Sequence, residues 1–334
     1  MRVDLGYVPL TDAAPVLAAA ELDFARDEGI ELVLHPEPSW ATLRDRLALG
    51  YLDAAHMLAP LALATRLGLS GPQADLVAPM ALNLNGNAIT LSLPLWEAMA
   101  PEADDLDAVA SAFGRLALAR AREGRPLSIA TVHPFSCHSY QLRIFAERGG
   151  IDLERTVRIV VVPPPQTVDA LSRGEIDGFC VGAPWNSIAV AAGLGRIAAL
   201  GCEIVPDCPE KVLAVHAGQA EALAPLVHAV TRAGIWCGDP ANVGELAGLL
   251  SEKGGLGRET DLIRRSLTGH LVVDTAGTRR TDPDYLRLGA DVQAPRPEHA
   301  LWLARQMAAS GQVSDAVQTA EAARVFYRPI LHKA

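Results

Sequence analysis

Short apolar runs alternate with amphipathic stretches through the first part of this chain. Val3–Val8, Glu31–Leu34, Ala54–Met57 and Ile89–Leu93 have strand length, as do Arg125–Thr131, Val157–Val162, Ile176–Val181 and Lys211–His216. Between the early runs, apolar residues recur at helical spacing from about Ala14 to Glu28 and from Trp40 to Leu49. Strands alternating with helices predict a parallel, doubly wound α/β sheet. Thr11 or Asp12 is placed to cap the helix that begins near Ala14, accepting N–H groups that its first turn leaves free. Residues 217–330 read as largely helical, with breaks at Asp239-Pro240, Gly254–Gly257 and the polar stretch 274–285.

One unit occurs twice. Residues 45–57 read Asp-Arg-Leu-Ala-Leu-Gly-Tyr-Leu-Asp-Ala-Ala-His-Met, and residues 169–181 read Asp-Ala-Leu-Ser-Arg-Gly-Glu-Ile-Asp-Gly-Phe-Cys-Val. Each is a helix ending at a glycine (Gly50, Gly174), then an Asp, then a buried apolar strand. Glycine suits the left-handed residue just past a helix. Two copies predict two α/β lobes of similar construction, and a cleft between lobes is a preferred ligand site. The pattern places lobe two at residues 95–186 and assembles lobe one from residues 1–94 and 187–334. The chain then crosses between lobes twice, which makes a hinge. Asp53 and Asp177 read as structural hydrogen-bond acceptors at strand starts.

Composition narrows the function. With 334 residues, the chain can bury two ordinary cores. No apolar run reaches the ~18 residues a membrane helix needs, so no membrane segment is expected. The net charge of −10 argues against nucleic acid as a direct partner but leaves room for a small anion at one local positive charge. Five cysteines, odd in number and without a Cys-x-x-Cys pair, suit reduced thiols in a cytosol. The opening Met-Arg-Val-Asp-Leu-Gly-Tyr reads directly as a strand, with no secretory pattern, so a cytoplasmic location is expected. No nucleophile elbow, phosphate loop, Cys-rich metal run or carboxylate pair stands out, so catalysis, a cofactor and a metal are not expected. His133 and His138 alone are weak grounds for a metal.

Several segments, taken in order, resemble one solute-binding family. They are Gly-Tyr-Val-Pro-Leu-Thr-Asp-Ala-Ala-Pro (6–15), Pro-Ser-Trp-Ala-Thr-Leu-Arg-Asp (38–45), Leu-Asp-Ala-Ala-His-Met-Leu-Ala-Pro (52–60) and Asn85-Gly86-Asn87. His-Pro-Phe-Ser-Cys-His (133–138), Val-Gly-Ala-Pro-Trp-Asn (181–186) and Pro-Glu-Lys-Val-Leu (209–213) complete the set. The chain resembles the nitrate- and bicarbonate-binding proteins of ABC importers, together with their cytoplasmic relative, the nitrate/nitrite sensor that controls an RNA-binding antiterminator of nitrate assimilation. The resemblance implies a two-lobed type II periplasmic-binding-protein fold with parallel and mixed sheets, a helical C-terminal segment and an anion held between the lobes. It implies nitrate or nitrite as ligand and the antiterminator as protein partner. An importer subunit is the alternative, and a biosynthetic enzyme on the same fold a more distant one.

Nitrate is a flat monoanion with three acceptor oxygens, so its site needs in-plane donors and about one positive charge. Lys211 is the candidate counter-charge. The chain carries 26 arginines and only three lysines, so a lysine opening an apolar strand suggests a compact ammonium. By itself it reads equally well as a strand-end side chain, and the resemblance tips it towards ligand. Bicarbonate-binding relatives are expected to be acidic here, so lysine favours nitrate or nitrite. His138, where a strand hands over to a helix, offers an imidazole beside first-turn N–H groups; alone it would read as a capping residue. His56 stands where importer relatives are expected to carry an amide, which would make binding sensitive to pH near 6–7; a core histidine is the rival reading. Trp40 can offer its ring face and indole N–H, although buried tryptophans more often serve packing. Gly182 permits close backbone approach, and Asn87 completes the ligand set. Trp185 and Asn186 belong to the hinge.

Overall fold

The computed structural model describes residues 1–257, 260–314 and 316–327. Its first strands are β1 (Arg2–Tyr7), β2 (Glu31–Pro36), β3 (Ala54–Leu58), β4 (Leu76–Asn85), β5 (Asn87–Ser92) and β6 (Ser128–Thr131). They are followed by β7 (Arg158–Val161), β8 (Gly178–Gly182), β9 (Gly195–Leu200) and β10 (Pro209–His216). The short strands β11 (His270–Val272), β12 (Arg279–Thr281) and β13 (Leu286–Arg287) lie near the C-terminal end. One sheet has the order β13-β4-β10-β3-β1-β2 and a second the order β7-β6-β8-β5-β9, while β11 and β12 form a separate hairpin. The two sheets are the cores of two α/β lobes.

The repeat explains why the lobes share a plan. β1 runs parallel to β2 and β3, and β6 runs parallel to β7 and β8. The helices Trp40–Ala48 and Thr167–Ser172 each end just ahead of a glycine in the left-handed region, Gly50 at φ +76° and Gly174 at φ +66°. A side chain there would be strained. Asp53 then accepts the backbone N–H of Asp4 at 2.8 Å, and Asp177 accepts that of Ser128 at 2.8 Å. In each lobe one carboxylate ties the start of the central strand to the loop before its neighbour, across the same sequence separation of 49 residues.

Strand pairing draws the second lobe wider than residues 95–186. β5 pairs antiparallel with β8 and β9, so the second sheet runs from Asn87 to Leu200. A run such as Ile89–Leu93 carries no mark of which sheet it joins, and only pairing decides it. The chain crosses between lobes at Asn85–Asn87 and again at 205–208. The crossings are bonded to each other: the Asn85 N–H donates to the Cys208 carbonyl at 2.9 Å, and the Cys208 N–H donates to Asn85 Oδ1 at 2.8 Å. Gly86 between them has φ +98°, and a Cβ there would lie 2.9 Å from Leu286 Cδ1, so the turn requires glycine.

Two local expectations are corrected. The helix expected over Ala14–Glu28 is two helices, Ala14–Glu21 and Phe24–Asp27, separated where Asp23 adopts φ +64°. Neither Thr11 nor Asp12 caps it; both sit in a 3-10 turn, Thr11–Ala13, and the Asp12 side chain is engaged elsewhere. The C-terminal part is mainly helical, but the polar stretch 274–285 contains β12. The helical expectation for residues 328–330 lies outside the described residues.

Each lobe has its own apolar core, one including Val3, Leu5, Leu213 and Leu226, the other Ile89, Phe113, Ile129 and Phe145. A further cluster draws on both lobes, joining Trp40, Met57 and Leu61 to Tyr140, Val181 and Trp185. The lobes are therefore packed against each other. Among the described residues, no helix is long and apolar enough to cross a membrane.

Candidate functional site

The seam between the lobes holds a fully buried cluster of ionisable side chains. β10 supplies two of them from neighbouring positions. Successive residues of a regular strand point to opposite faces, but the register of β10 against β4 shifts on both sides of Lys211. Such irregularities re-aim side chains, and here Glu210 and Lys211 meet. Lys211 Nζ lies 2.7 Å from Glu210 Oε1 and 2.9 Å from Asp12 Oδ2. His56, on β3, has Nε2 3.0 Å from Asp12 Oδ1. The Lys211 ammonium also stands 5.4 Å from the centroid of the Trp40 ring, and the Trp40 and His56 rings are 5.6 Å apart. Trp40 opens its helix directly after Ser39, whose Oγ caps it by accepting the Thr42 N–H.

The second lobe closes on this cluster with neutral groups. The helix Cys137–Arg148 is capped by Ser136, whose Oγ accepts the Ser139 N–H. His138 lies in its first turn, where N–H groups lack intrahelical acceptors, and His138 Nδ1 is 3.5 Å from Glu210 Oε1. Asn87 donates through Nδ2 to Gln141 Oε1 at 3.1 Å. At Gly182 a Cβ would meet Asp12 Oδ2 at 3.4 Å and Asn87 Oδ1 at 3.6 Å, so the backbone there runs close beside both. Trp40, His56, His138 and Lys211 thus come together in one cluster, with Gly182 and Asn87 at its edge. Asn186 binds Thr90 and the Val181 carbonyl at 2.8 Å each, at the inter-lobe end of β8. His133 Nδ1 accepts the Phe135 N–H, a local turn contact.

Burial and charge set the protonation states. Burial disfavours the Asp12 carboxylate, but Lys211 and then His56 outweigh it and hold the group well below the usual carboxylate range. For Lys211 burial likewise opposes the charge, and Asp12 and Glu210 overcome it, raising its pKa. Desolvation lowers His56, against the pull of Asp12. It also brings His138 down to about 4, although Glu210 opposes the shift. Asp12 and Lys211 are therefore held charged and the two imidazoles neutral, with Glu210 in contact with the Lys211 ammonium.

Several polar atoms here are buried without a hydrogen-bond partner: Trp40 Nε1, His56 Nδ1, Asn87 Oδ1, both ring nitrogens of His138, and Glu210 Oε2. Leaving such groups unpaired costs about 1–3 kcal/mol each, so their concentration marks a place built to meet a polar ligand. Cys137, Cys208 and Glu210 bring donor atoms within 4.8 Å of one another. The Lys211 ammonium already on Glu210 repels a cation, and burial raises both thiols, which opposes the thiolates a metal requires. This set is therefore assigned to packing.

The sequence reading missed two members of the cluster. Asp12 reads as a helix cap, and its position between an apolar strand and an apolar helix was the available signal. Glu210 does not stand out; in a regular strand it would point away from Lys211, and nothing in the sequence announces the shifted register.

Comparison with known proteins agrees with this architecture. The profile of the NMT1-like family matches residues 1–251. The nitrate import ATP-binding protein NrtC of Synechocystis is 38% identical over 270 residues, covering 79% of this chain and 39% of that protein. The nitrate/nitrite binding protein NrtA of Synechococcus elongatus is 33% identical over 318 residues, 90% of this chain and 69% of that protein. The crystal structure of the periplasmic nitrate-binding protein NrtA from Synechocystis superposes with a TM-score of 0.88 at 25% identity, covering 97% of this chain and 85% of that one. The expected two-lobed periplasmic-binding-protein fold is thereby shown. The chain spans less than half the length of the ATP-binding relatives it matches.

Proposed function

This chain belongs to the NMT1-like family, within the nitrate- and bicarbonate-binding branch, and from that premise we propose that its lobes close on nitrate or nitrite at the buried cluster. The observation that carries this reading is the convergence of Lys211, Trp40 and His138 with unpaired polar atoms facing one seam. A planar monoanion accepts from the indole N–H and from an imidazole N–H while sharing the ammonium charge. Relatives named for nitrate and nitrite binding support that anion, beside others of similar identity named for bicarbonate transport. No catalytic step belongs to this reading.

The role assigned is sensing. In it, a cytoplasmic protein closes on its anion and so retains or releases an RNA-binding antiterminator of nitrate assimilation. Five free, buried cysteines support a reducing compartment. The coupling requires that the partner prefer one arrangement of the lobes. A second reading, the binding component of an ABC-type nitrate importer, is favoured by the likeness to periplasmic NrtA and uses the same anion site.

Thermal unfolding at fixed ionic strength, titrated with nitrate, nitrite, bicarbonate, sulfate and chloride, tests the ligand. An anion at ~100 times its dissociation constant adds about 2.7 kcal/mol of stability. Stabilisation by nitrate or nitrite is expected, and its absence for both contradicts the anion assignment. Co-purification with the antiterminator in nitrate-free buffer, altered by added nitrate, tests the sensing role. If the anion binds and no such complex forms, the importer reading takes its place.

A further inference from the structure

The charge count of the cluster has a consequence for what the site takes up, given the anion reading above. Lys211 is fully buried and lies within 3 Å of two carboxylates, Asp12 at 2.9 Å and Glu210 at 2.7 Å, which are themselves 2% exposed or less. With both imidazoles neutral, and with Asp12 and Glu210 counted as carboxylates by their contacts with the one ammonium, the formal sum is one negative charge before any ligand arrives. Adding a monoanion leaves two buried negative charges in excess, and uncompensated buried charge costs several kcal/mol. An anion site of this composition needs one more positive charge, and a proton is what the surrounding groups can supply.

His138 is where that proton fits. The charged groups acting on it are Glu210 and Lys211 on β10 and Asp12 on the first 3-10 turn, with Cys137 beside it on its own helix; Cys208 lies close to Cys137 and Glu210, and His56 on β3 bonds Asp12. The thiols can only add negative charge. Asp12 and Glu210 are committed to Lys211. His56 has Nε2 committed to Asp12, which leaves it a single ring nitrogen, Nδ1, so it cannot bridge a second carboxylate and an anion. His138 has neither ring nitrogen hydrogen-bonded, and Nδ1 stands 3.5 Å from Glu210. As an imidazolium it becomes a donor at both nitrogens, one towards Glu210 and the other free for an anion.

We propose that the site binds its monoanion together with one proton, carried on His138, and that Glu210 is the residue that imposes this coupling. Desolvation keeps His138 neutral without ligand, down to about pH 4, so the proton arrives with the anion. Glu210 thereby sets specificity by charge. A dianion such as sulfate needs a second proton and is rejected. Nitrate affinity falls as pH rises, because a proton bound with the ligand makes the observed constant proportional to proton concentration.

The test is calorimetric titration of nitrate between pH 5.5 and 8.5 in pairs of buffers with different ionisation enthalpies, which counts protons directly. About one proton is expected to enter per nitrate at pH 7.5, with affinity weakening about tenfold per pH unit in the alkaline range. In Glu210→Gln and in His138→Gln, each first shown to unfold cooperatively, the uptake falls to near zero and the pH dependence flattens. Nitrate binding in the wild type without proton uptake overturns this proposal alone. Uptake that persists unchanged in both variants also overturns it, since the proton then sits elsewhere. Absence of binding by nitrate and nitrite at every pH overturns the anion reading and this proposal with it.

Discussion

The two lobes repeat one construction and bring opposite chemistry to their shared seam. Lobe one contributes Asp12, His56, Glu210, Lys211 and the Trp40 ring, and with them every formal charge of the cluster. Lobe two contributes His138, Asn87, Gln141, Gly182 and the opening turn of a helix. The divergence is visible at matching places in the repeat. The third residue after Asp53 is His56, bonded to Asp12, whereas the third after Asp177 is Cys180, which packs among Ile89 and Phe145. Keeping all the charge on one lobe means that the lobes can part without separating an ion pair of the cluster. What parts is apolar contact, the loose approach of His138 to Glu210 and hydrogen bonds such as Cys137 Sγ to the Pro209 carbonyl and the Thr11 N–H to the Ala183 carbonyl, so opening separates no ion pair of the cluster.

Removing the ammonium is the harshest way to break that asymmetry. Lys211→Met leaves Asp12 and Glu210 buried without their counter-charge, and a loss of about 3–5 kcal/mol in urea unfolding at pH 7 is expected. His138→Gln, on the neutral lobe, should cost about 1 kcal/mol. Equal losses would contradict the division of charge between lobes.

Acid should come next in size. His133 and His138 are held down to about 4, chiefly by desolvation, while the unfolded chain titrates histidine near 6.5. Over that window the unfolded state binds more protons, so stability falls as pH drops from about 6.5 towards 4, by a few kcal/mol in all. The unfolding midpoint measured against pH checks the sign. Nitrate should soften the fall, since it favours the His138 imidazolium.

Trp40→Phe keeps a ring beside Lys211 and removes only the indole donor. Nitrate affinity is expected to fall by about 1–3 kcal/mol with little change in unfolding. Asp53→Ala and Asp177→Ala sharpen the repeated half of the comparison. Each deletes the same carboxylate-to-backbone bond, so each should cost about 1–2 kcal/mol, nearly alike, and neither should alter nitrate affinity. A large difference between them would mean that the two copies are not equivalent parts.

The fold was legible because it is written locally and twice. A helix, a left-handed glycine, an Asp and a buried strand identify each unit without knowledge of the other, and Asp53 and Asp177 do what their positions suggested. The lobe boundary was less legible, since β5 and β9 join the second sheet through pairings with no local signature. In the site, Lys211 stood out by rarity, and Trp40, His56 and His138 by position. Asp12 was misread because an acid ahead of a helix has an ordinary use as a cap. Glu210 was hidden because a shift in strand register defeats the period of two. Those two residues are the ones that turn a simple counter-charge into a site with excess negative charge, which is why proton coupling emerged only from the assembled geometry.

The most direct measurement is the crystal structure of this protein grown with nitrate at saturating concentration. The account predicts one planar ligand between the lobes, within hydrogen-bond distance of Trp40 Nε1 and a ring nitrogen of His138, beside Lys211. Nitrate found only on surface arginines, with the seam unchanged, would contradict it.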